Sequence, residues 1–209
     1  MPRRIDYLFT LQSPWAYLGS APFHALVKRH GVSVRYRPVM LGDVFSETGG
    51  LPLVKRHPVR QAYRLVELQR WRAFRKVPLT LKPKGFPFDA SLADCAVIAM
   101  QEAGRSPEAY LAAAHRAVWA EDRNLGGAEE VGKILKAVGE DAPSILAAAS
   151  SDAVRAAYAA NREWALETGV FGAPSYVLDG EIFWGQDRLD LLDAALASGR
   201  PAYRPDGDA

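Results

Sequence analysis

The run Ile5-Asp6-Tyr7-Leu8-Phe9-Thr10, followed two residues later by Ser13-Pro14-Trp15-Ala16-Tyr17, determines how this chain begins to fold. The first run is apolar and rich in residues that favour strands, and Asp6 is its only charge, as expected for a largely buried strand. Ser13 before Pro14 is typical of a helix start, because a serine hydroxyl caps free amides and proline suits the first helical position. The opening therefore predicts a strand that leads into a helix.

A second strand follows this helix. Apolar residues at helical spacing, interrupted by Gly19 and Pro22, predict a helix that ends near Gly31. Residues 32–38 alternate in polarity and predict the second strand. A connection of this length permits parallel pairing, so the chain opens with a β-α-β unit.

The C-terminal part predicts a return to β-structure. Ser175–Leu178 and Glu181–Trp184 are apolar runs on either side of Asp179-Gly180. Asp-Gly between two such runs is a strong hairpin signal, because a type I′ turn requires positive φ at both central residues. A helix over 187–198 completes a β-β-α unit.

The middle of the chain is predicted to be helical. Glycine and proline cluster at 49–52 and 82–87, which indicates loops. The order of elements is thus β-α-β, an all-helical block, and β-β-α. Helical patterns in the block cover residues 58–76, 89–104, 106–121, 128–138 and 151–167.

Composition excludes several classes of protein. The 209 residues are 49% hydrophobic and 24% charged, with a net charge of +2, as in ordinary globular domains. A single cysteine, Cys95, excludes an internal disulfide, a Cys-x-x-Cys redox pair and a cysteine-rich zinc site, and its alanine-rich helical surroundings predict a buried thiol. No apolar run approaches the roughly 20 residues of a membrane helix, and no apolar leader follows Met1, so we expect a cytoplasmic protein without a membrane segment. No metal site is expected, because no metal-ligand spacing links His24, His30, His57 and His115.

Charge is unevenly distributed. Residues 55–84 contain ten lysines and arginines and one acid, Glu67, a net charge of +9, whereas the rest of the chain has 16 basic and 23 acidic residues. A basic segment in a nearly neutral protein indicates either an anionic partner or a solvated helix face. Nucleic acid is not expected as the partner, because no nucleic-acid-binding motif accompanies the charge.

Ser13 allows two interpretations. It is either only the N-cap of the first helix, or a hydroxyl that meets an anion there, since free amides and the helix dipole favour negative charge. A thiol bound at such a place would ionise more easily. A hydrolase nucleophile is disfavoured, because no Gly-x-Ser-x-Gly motif surrounds Ser13.

Other positions are also candidates for ligand contacts. Pro174 is either an ordinary loop residue or a cis proline that presents the Ala173 backbone to a ligand. Gln186 and Asp187 open the last helix, where Asp187 is either a cap or a carboxylate that helps to grip a peptide-like ligand. Arg60 lies in the first turn of the basic helix, where it is either solvated or in contact with an anion.

The two ends of the chain resemble 2-hydroxychromene-2-carboxylate isomerases, which belong with the kappa-class glutathione transferases in the DsbA-like part of the thioredoxin superfamily. Residues 6–9 and 13–17 are similar to the start of that family, and residues 169–176 and 183–188 to its C-terminal signature. The resemblance covers nearly the full length.

The resemblance implies an α/β protein with a thioredoxin-like fold that an all-helical insertion interrupts, as in DsbA. The thioredoxin-like domain would be discontinuous and comprise residues 1–45 and 165–209, with the helical insertion domain at 46–164. This division agrees with the order of predicted elements.

The resemblance also implies glutathione as cofactor. Ser13 would meet its sulfur, at the position of the first cysteine of the redox relatives' Cys-x-x-Cys motif. Ala173, beside a cis Pro174, would pair by its backbone with the cysteinyl part, and Gln186 and Asp187 would hold the γ-glutamyl end.

Two further positions, one in the basic segment and one in the loop before it, bear on the same site. Arg60 stands where the family often has a lysine that reaches glutathione. Gly50 occupies a position where the family usually has asparagine, so an amide side chain that contacts ligand is missing here.

The activity that the resemblance implies is glutathione-dependent isomerisation in aromatic-compound degradation. It would interconvert 2-hydroxychromene-2-carboxylate and trans-o-hydroxybenzylidenepyruvate, with reversible thiolate addition permitting bond rotation. The partners expected are a small anionic aromatic substrate and a second copy of the chain in a homodimer. The alternatives are a kappa-like transferase, which consumes glutathione, and a non-catalytic glutathione or peptide-binding module; a disulfide oxidoreductase is disfavoured because residues 13–16 contain no thiol.

Overall fold

The computed structural model describes residues 3–207 of the chain. Residues 1–2 and 208–209, which belong to the predicted thioredoxin-like domain, lie outside the described residues. Short 3₁₀ turns at Leu53–Lys55 and Gln186–Arg188 precede α3 and α9. In chain order the regular elements are β1 (Arg4–Phe9), α1 (Pro14–His30), β2 (Ser33–Pro38), α2 (Leu41–Thr48), α3 (Pro58–Arg75), α4 (Ser91–Glu102), α5 (Glu108–Trp119), α6 (Ala128–Ala137), α7 (Ala142–Ala149), α8 (Asp152–Thr168), β3 (Ser175–Leu178), β4 (Glu181–Trp184) and α9 (Leu189–Ser198).

The four strands form one mixed sheet in the order β2-β1-β3-β4. β1 pairs in parallel with β2 and antiparallel with β3, and β4 pairs antiparallel with β3. Asp179 and Gly180 join the last two strands with φ values of 52° and 85°. The predicted β-α-β unit and the Asp-Gly hairpin are therefore confirmed, and the fold is the predicted thioredoxin-like one.

Both faces of the sheet are covered. Tyr7 of β1 stacks on Tyr176 of β3, with ring centroids 5.2 Å apart, and on Phe9 at 4.9 Å, in the larger core beneath α1. Leu8 points to the opposite face, where it belongs to a smaller core with Ala165 of α8. Alternation along β1 thus explains why this strand is apolar almost throughout.

Helix α1 differs from the sequence prediction in one respect. The predicted interruption at Gly19 and Pro22 is wrong, because α1 runs unbroken from Pro14 to its left-handed cap at Gly31. Buried side chains on both sides of Pro22, including Phe23, hold the helix together despite the missing amide. The helical spacing was the stronger signal.

The five helices predicted in the middle of the chain are present, but α2 and α7 were not predicted. Each of these helices has only eight residues, and Met40, the residue before α2, provides no side-chain cap. The predicted domain boundaries at 45/46 and 164/165 fall inside α2 and α8. The division into two domains stays a prediction.

The loop between β1 and α1 is held in place by the helical block. The Leu11 amide donates to Asp94 Oδ1 of α4 at 3.3 Å, and Trp119 Nε1 of α5 donates to the Leu11 carbonyl at 2.9 Å. Gln12 Nε2 donates to the Phe88 carbonyl at 2.7 Å. These bonds satisfy backbone groups that no strand or helix pairs, and they fix the point from which α1 starts.

Asp94 is a carboxyl group with 0% exposure. Its Oδ2 accepts hydrogen bonds from Tyr158 Oη at 3.1 Å and Thr10 Oγ1 at 3.5 Å. Burial raises the pKa of Asp94 to about 8, although the hydrogen bonds from Leu11, Tyr158 and Thr10 act in the opposite direction. The side chain that anchors this loop is therefore a titratable group.

The raised pKa makes the stability of the protein depend on pH. An aspartate of the unfolded chain ionises near its ordinary pKa of about 4, whereas native Asp94 keeps its proton up to about pH 8. Because the native state binds more protons in this window, the contribution of Asp94 to stability falls as pH rises through it. Burial lowers the pKa of His24, and it lowers that of His115 to about 3, so both histidines act in the opposite sense below their ordinary pKa.

The variant Asp94→Asn isolates this effect. We expect the free energy of unfolding of the native protein, minus that of the variant, to fall by about 3–4 kcal/mol between pH 5 and pH 8, since the native state holds nearly one extra proton over three pH units and each unit corresponds to about 1.4 kcal/mol. Urea denaturation at pH 5, 6, 7 and 8 measures this difference.

The matched control for this experiment is Glu130→Gln. The pKa of Glu130 is lowered by Lys133 and Arg123, so its carboxylate is charged throughout this pH range in both states. The free energy of unfolding of the native protein, minus that of Glu130→Gln, should therefore stay constant over this pH range. A constant difference for Asp94→Asn as well would show that Asp94 ionises normally in the native protein.

Candidate functional site

Ser13 lies at the N-terminus of α1 and is only 6% exposed. Its Oγ accepts a hydrogen bond from the Ala16 amide at 3.2 Å, and Pro14 occupies the first helical position, as predicted. The Trp15 amide makes no hydrogen bond to any residue of the described chain, and the first turn contains no acidic side chain. The start of α1 therefore presents an amide and the positive end of the helix dipole.

The Ser13 hydroxyl faces the loop before β3. Its Oγ lies 3.5 Å from the Ala173 carbonyl, at the outer limit for a hydrogen bond, so the proton that it donates there is only weakly held. The Ala173-Pro174 peptide bond is cis, the second of the two interpretations of this loop. The Pro174 carbonyl in turn accepts from the Gly185 amide at 2.9 Å, which connects this loop to the turn before α9.

Gln186 in that turn is nearly fully buried, and its side chain is oriented by Arg75. Gln186 Oε1 accepts from Arg75 Nε at 3.1 Å and from Nη2 at 2.9 Å, and the Gln186 carbonyl accepts from Nη2 at 3.2 Å. Because the amide oxygen is turned towards Arg75, the amide nitrogen is left as the group that can donate to a ligand. Nothing in the sequence marks Arg75 as a site residue beyond its place among the ten basic residues of 55–84.

The turn before α9 packs closely on α1 because Gly19 has no side chain. A Cβ at Gly19 would lie 2.7 Å from Gln186 Cβ and 2.8 Å from Tyr176 Oη. Asp187 follows with its carboxylate partly exposed and 3.2 Å from Arg188 Nη2. Ser13, Ala173, Pro174, Gln186 and Asp187 thus lie on elements joined by direct contacts at one end of the sheet.

Arg60 is not joined to this group by a hydrogen bond or ion pair between described residues. It is exposed in the first turn of α3, close enough to Arg56 to lower the pKa of that guanidinium, although burial lowers it more. Its predicted contact with glutathione stays a prediction.

Two exposed aromatic rings flank the Ala173 loop. Phe171 and Trp184 lie with ring centroids 4.7 Å apart and are 42% and 51% exposed. A Cβ at Gly172 would lie 2.4 Å from Trp184 Nε1, so the indole rests on the backbone of this loop. Both rings belong to the C-terminal motifs at 169–176 and 183–188, but neither was predicted to be a site residue.

Gly50, where the resemblance led us to expect asparagine, lies against an aromatic ring. A Cβ at this position would be 2.2 Å from Phe45 Cδ1 of α2. Phe45 is half-buried and also lies beneath Arg56, whose guanidinium carbon is 5.8 Å from the ring centroid. The space that an asparagine side chain would need is therefore filled by Phe45.

Cys95 is buried in α4, as predicted, and burial raises the pKa of its thiol to about 11. Such a thiol is a poor nucleophile near neutral pH. Between residues 3 and 207, no cluster of three or more metal-ligating side chains occurs, and no helix is long and apolar enough to cross a membrane.

Comparison with known proteins agrees with this arrangement. The family model described as a DSBA-like thioredoxin domain matches residues 4–197. A 2-hydroxychromene-2-carboxylate isomerase from Sphingobium xenophagum is 31% identical over 94% of this chain and 99% of its own length. Glutathione S-transferase kappa 1 from Caenorhabditis elegans is 28% identical over 96% of this chain and 95% of its own length.

Solved structures give the same result. The structure of a 2-hydroxychromene-2-carboxylate isomerase superimposes with a TM-score of 0.78 at 27% identity, and the match covers 93% of this chain and 95% of that one. The sheet order, the helical block and the full-length match all agree with the resemblance noted in the sequence. The chain belongs to the DsbA-like thioredoxin superfamily, in the family of 2-hydroxychromene-2-carboxylate isomerases and kappa-class glutathione transferases.

Proposed function

We propose that the protein is a glutathione-dependent isomerase that interconverts 2-hydroxychromene-2-carboxylate and trans-o-hydroxybenzylidenepyruvate. The observation that carries the proposal is the buried Ser13 hydroxyl, weakly held at 3.5 Å from the Ala173 carbonyl, at a helix start with a free amide. The name of the bacterial relative supports the reaction, and that of the nematode relative supports glutathione.

The donor groups at the start of α1 fit a thiolate. The Ser13 hydroxyl and the Trp15 amide each supply a hydrogen, and the helix dipole adds partial positive charge. Ala173 would offer its backbone to the cysteinyl part of glutathione, and Gln186 and Asp187 would hold the γ-glutamyl end. When bound, glutathione supplies a sulfur that adds reversibly to a conjugated carbon, so that the former double bond can rotate without net consumption of the thiol.

The residues of the chain have three tasks in this scheme. Ser13 would donate its hydrogen bond to the sulfur instead of to the Ala173 carbonyl, and this bond favours the charged form of the thiol. Arg75 keeps the Gln186 amide nitrogen directed towards the ligand by holding the amide oxygen. Basic side chains such as Arg60 would meet the carboxylates of glutathione or substrate. A cytoplasmic location and a homodimer, both expected from the sequence, stay predictions.

The proposal is tested by incubating the protein with trans-o-hydroxybenzylidenepyruvate, with and without glutathione, and following the reaction by ultraviolet spectroscopy. We expect turnover only with glutathione, and an unchanged glutathione concentration at the end. Consumption of glutathione with formation of a conjugate would favour the kappa-like transferase, a function that the nematode relative also supports. Glutathione binding without turnover of either kind would contradict both enzymatic functions.

Ser13→Ala should lower turnover by about 10- to 100-fold while the fold survives. Loss of one hydrogen bond to a charged group costs about 1.5–3 kcal/mol, and 1.4 kcal/mol is about tenfold. The matched control is Ser151→Ala at the start of α8, where the serine accepts from the Val154 amide at 3.3 Å in a similar cap. Each cap should contribute about 1 kcal/mol to stability, so only the effect on turnover should differ.

The ionisation of bound glutathione gives a second readout of Ser13. The dipole and one charge-assisted hydrogen bond should bring the thiol pKa from about 8.5–9 to about 6–7.5. Thiolate absorbance near ~240 nm, titrated against pH, measures this shift. Full activity in a Ser13→Ala protein that melts like Ser151→Ala would show that Ser13 is only a cap.

Gly50→Asn tests whether Phe45 has replaced the missing amide. Because the new side chain would meet the Phe45 ring, we expect a loss of about 1–3 kcal/mol in the free energy of unfolding. The loss should be much smaller in a Phe45→Ala background, which removes the ring. Urea denaturation of both single variants and of the double variant gives the coupling between the two positions.

The control for this substitution is Gly127→Asn. Gly127 is the N-cap of α6, and a Cβ there would meet nothing within 4 Å. Asparagine is a good N-cap residue, so this variant should be at least as stable as the native protein. An equal loss for Gly50→Asn with and without Phe45 would place the conflict elsewhere.

A further inference from the structure

A cavity of about 330 Å³ lies between α3, the 3₁₀ turn before it and the segment 81–86. This volume is within the range of cavities that hold small ligands in other proteins. Most of the wall is apolar, and the basic groups on it are Arg64 and Lys82. The apolar lining includes Leu53, Leu65, Leu81, Phe86 and Trp119.

Of the two cations on this cavity, Lys82 is exposed and Arg64 is the more buried one. It is half-buried, and no hydrogen bond or ion pair joins its guanidinium to another side chain within residues 3–207. The other arginines later in α3 are paired: Arg70 with Glu67 at 2.5 Å, Arg72 with the Leu79 carbonyl at 3.2 Å, and Arg75 with Gln186. Burial and the neighbouring Arg56 lower the pKa of Arg64, because both destabilise a positive charge that has no partner.

The aromatic side of the cavity is hydrogen-bonded to the loop that precedes Ser13. Phe86 and Trp119 lie with ring centroids 5.5 Å apart, and Trp119 is only 1% exposed. Trp119 Nε1 donates to the carbonyl of Leu11, two residues before Ser13. The Thr80 amide donates to the Trp119 carbonyl, which ties Trp119 to the residue just before the lining segment 81–86.

We propose that this cavity binds the ring of a small aromatic carboxylate, with Arg64 as the partner of the carboxylate and with Phe86, backed by the buried Trp119, as the wall against the ring. This inference rests on the proposed function, because the substrates of the proposed isomerase are small aromatic carboxylates. A guanidinium suits a carboxylate because it donates two parallel hydrogen bonds. The mostly apolar wall favours an aromatic monoanion over a polyphosphate, which would leave most of its charge without a partner.

The test uses 2-naphthoate as the probe and 2-naphthamide as its neutral counterpart, without glutathione. Isothermal titration should show that 2-naphthoate binds the native protein and that Arg64→Gln raises its Kd at least tenfold. Binding of 2-naphthamide should change less than twofold. The matched control is Arg70→Gln, on the same helix but paired with Glu67 at the surface, which should leave both Kd values unchanged.

Phe86→Ala provides a second variant that does not alter charge. It should weaken both probes, because the ring wall is lost while Arg64 remains. Circular dichroism and a thermal melt establish that each variant is folded. Equal Kd values for 2-naphthoate in the native protein and in Arg64→Gln, or no binding to the native protein, would overturn the proposal.

The isomerase assay separates this proposal from the proposed function. If both are correct, Arg64→Gln raises KM for the benzylidenepyruvate with little change in kcat. Binding of 2-naphthoate through Arg64 in a protein without isomerase activity would refute the function and leave the cavity assignment standing. Isomerase activity with KM and Kd unaffected by Arg64→Gln would support the function and refute the cavity assignment.

Discussion

The buried hydrogen bond from the Leu11 amide to Asp94 is the contact on which the site depends. The loop between β1 and α1 has no regular structure, so its backbone groups need partners from elsewhere. Those partners are Asp94 of α4 and Trp119 of α5, and the Gln12 side chain adds a hydrogen bond to the Phe88 carbonyl. All three partners lie in the helical block. The helical block is therefore part of the site, because it determines where α1 and its capping serine begin.

Local signals explain why so much of the fold can be predicted from the sequence. Alternation in 32–38, the Asp179-Gly180 turn and the Ser-Pro helix start each act over a few residues, and the structure contains all three elements. The missed helices, α2 and α7, are eight residues long, too short for periodicity to separate them from loops. The break that was expected in α1 is absent, because burial of the long helix stabilises it by more than its internal proline costs.

The residues of the candidate site that lie in motifs of the resemblance could be predicted. Those that join the site through contacts distant in sequence could not. Ser13, Ala173 and Gln186 stand in motifs that can be recognised by themselves. Asp94 contacts Leu11 across 83 residues of sequence, and Arg75 contacts Gln186 across 111. The sequence near each of these residues therefore contains no signal for its partner. The same holds for the basic segment: its net charge is visible in the sequence, but only the structure shows that Arg64 lacks the partners that Arg70, Arg72 and Arg75 have.

The absence of a thiol at the start of α1 limits what this DsbA-like fold can do. Disulfide exchange at that position needs a sulfur on the chain, and Ser13-Pro14-Trp15-Ala16 has none. The single thiol, Cys95, is buried, with a pKa near 11, and so cannot substitute for it. What the position retains is the free amide, the hydroxyl and the helix dipole, all of which stabilise an anion whatever its source. Any sulfur chemistry at this helix start must therefore use a sulfur that the ligand brings.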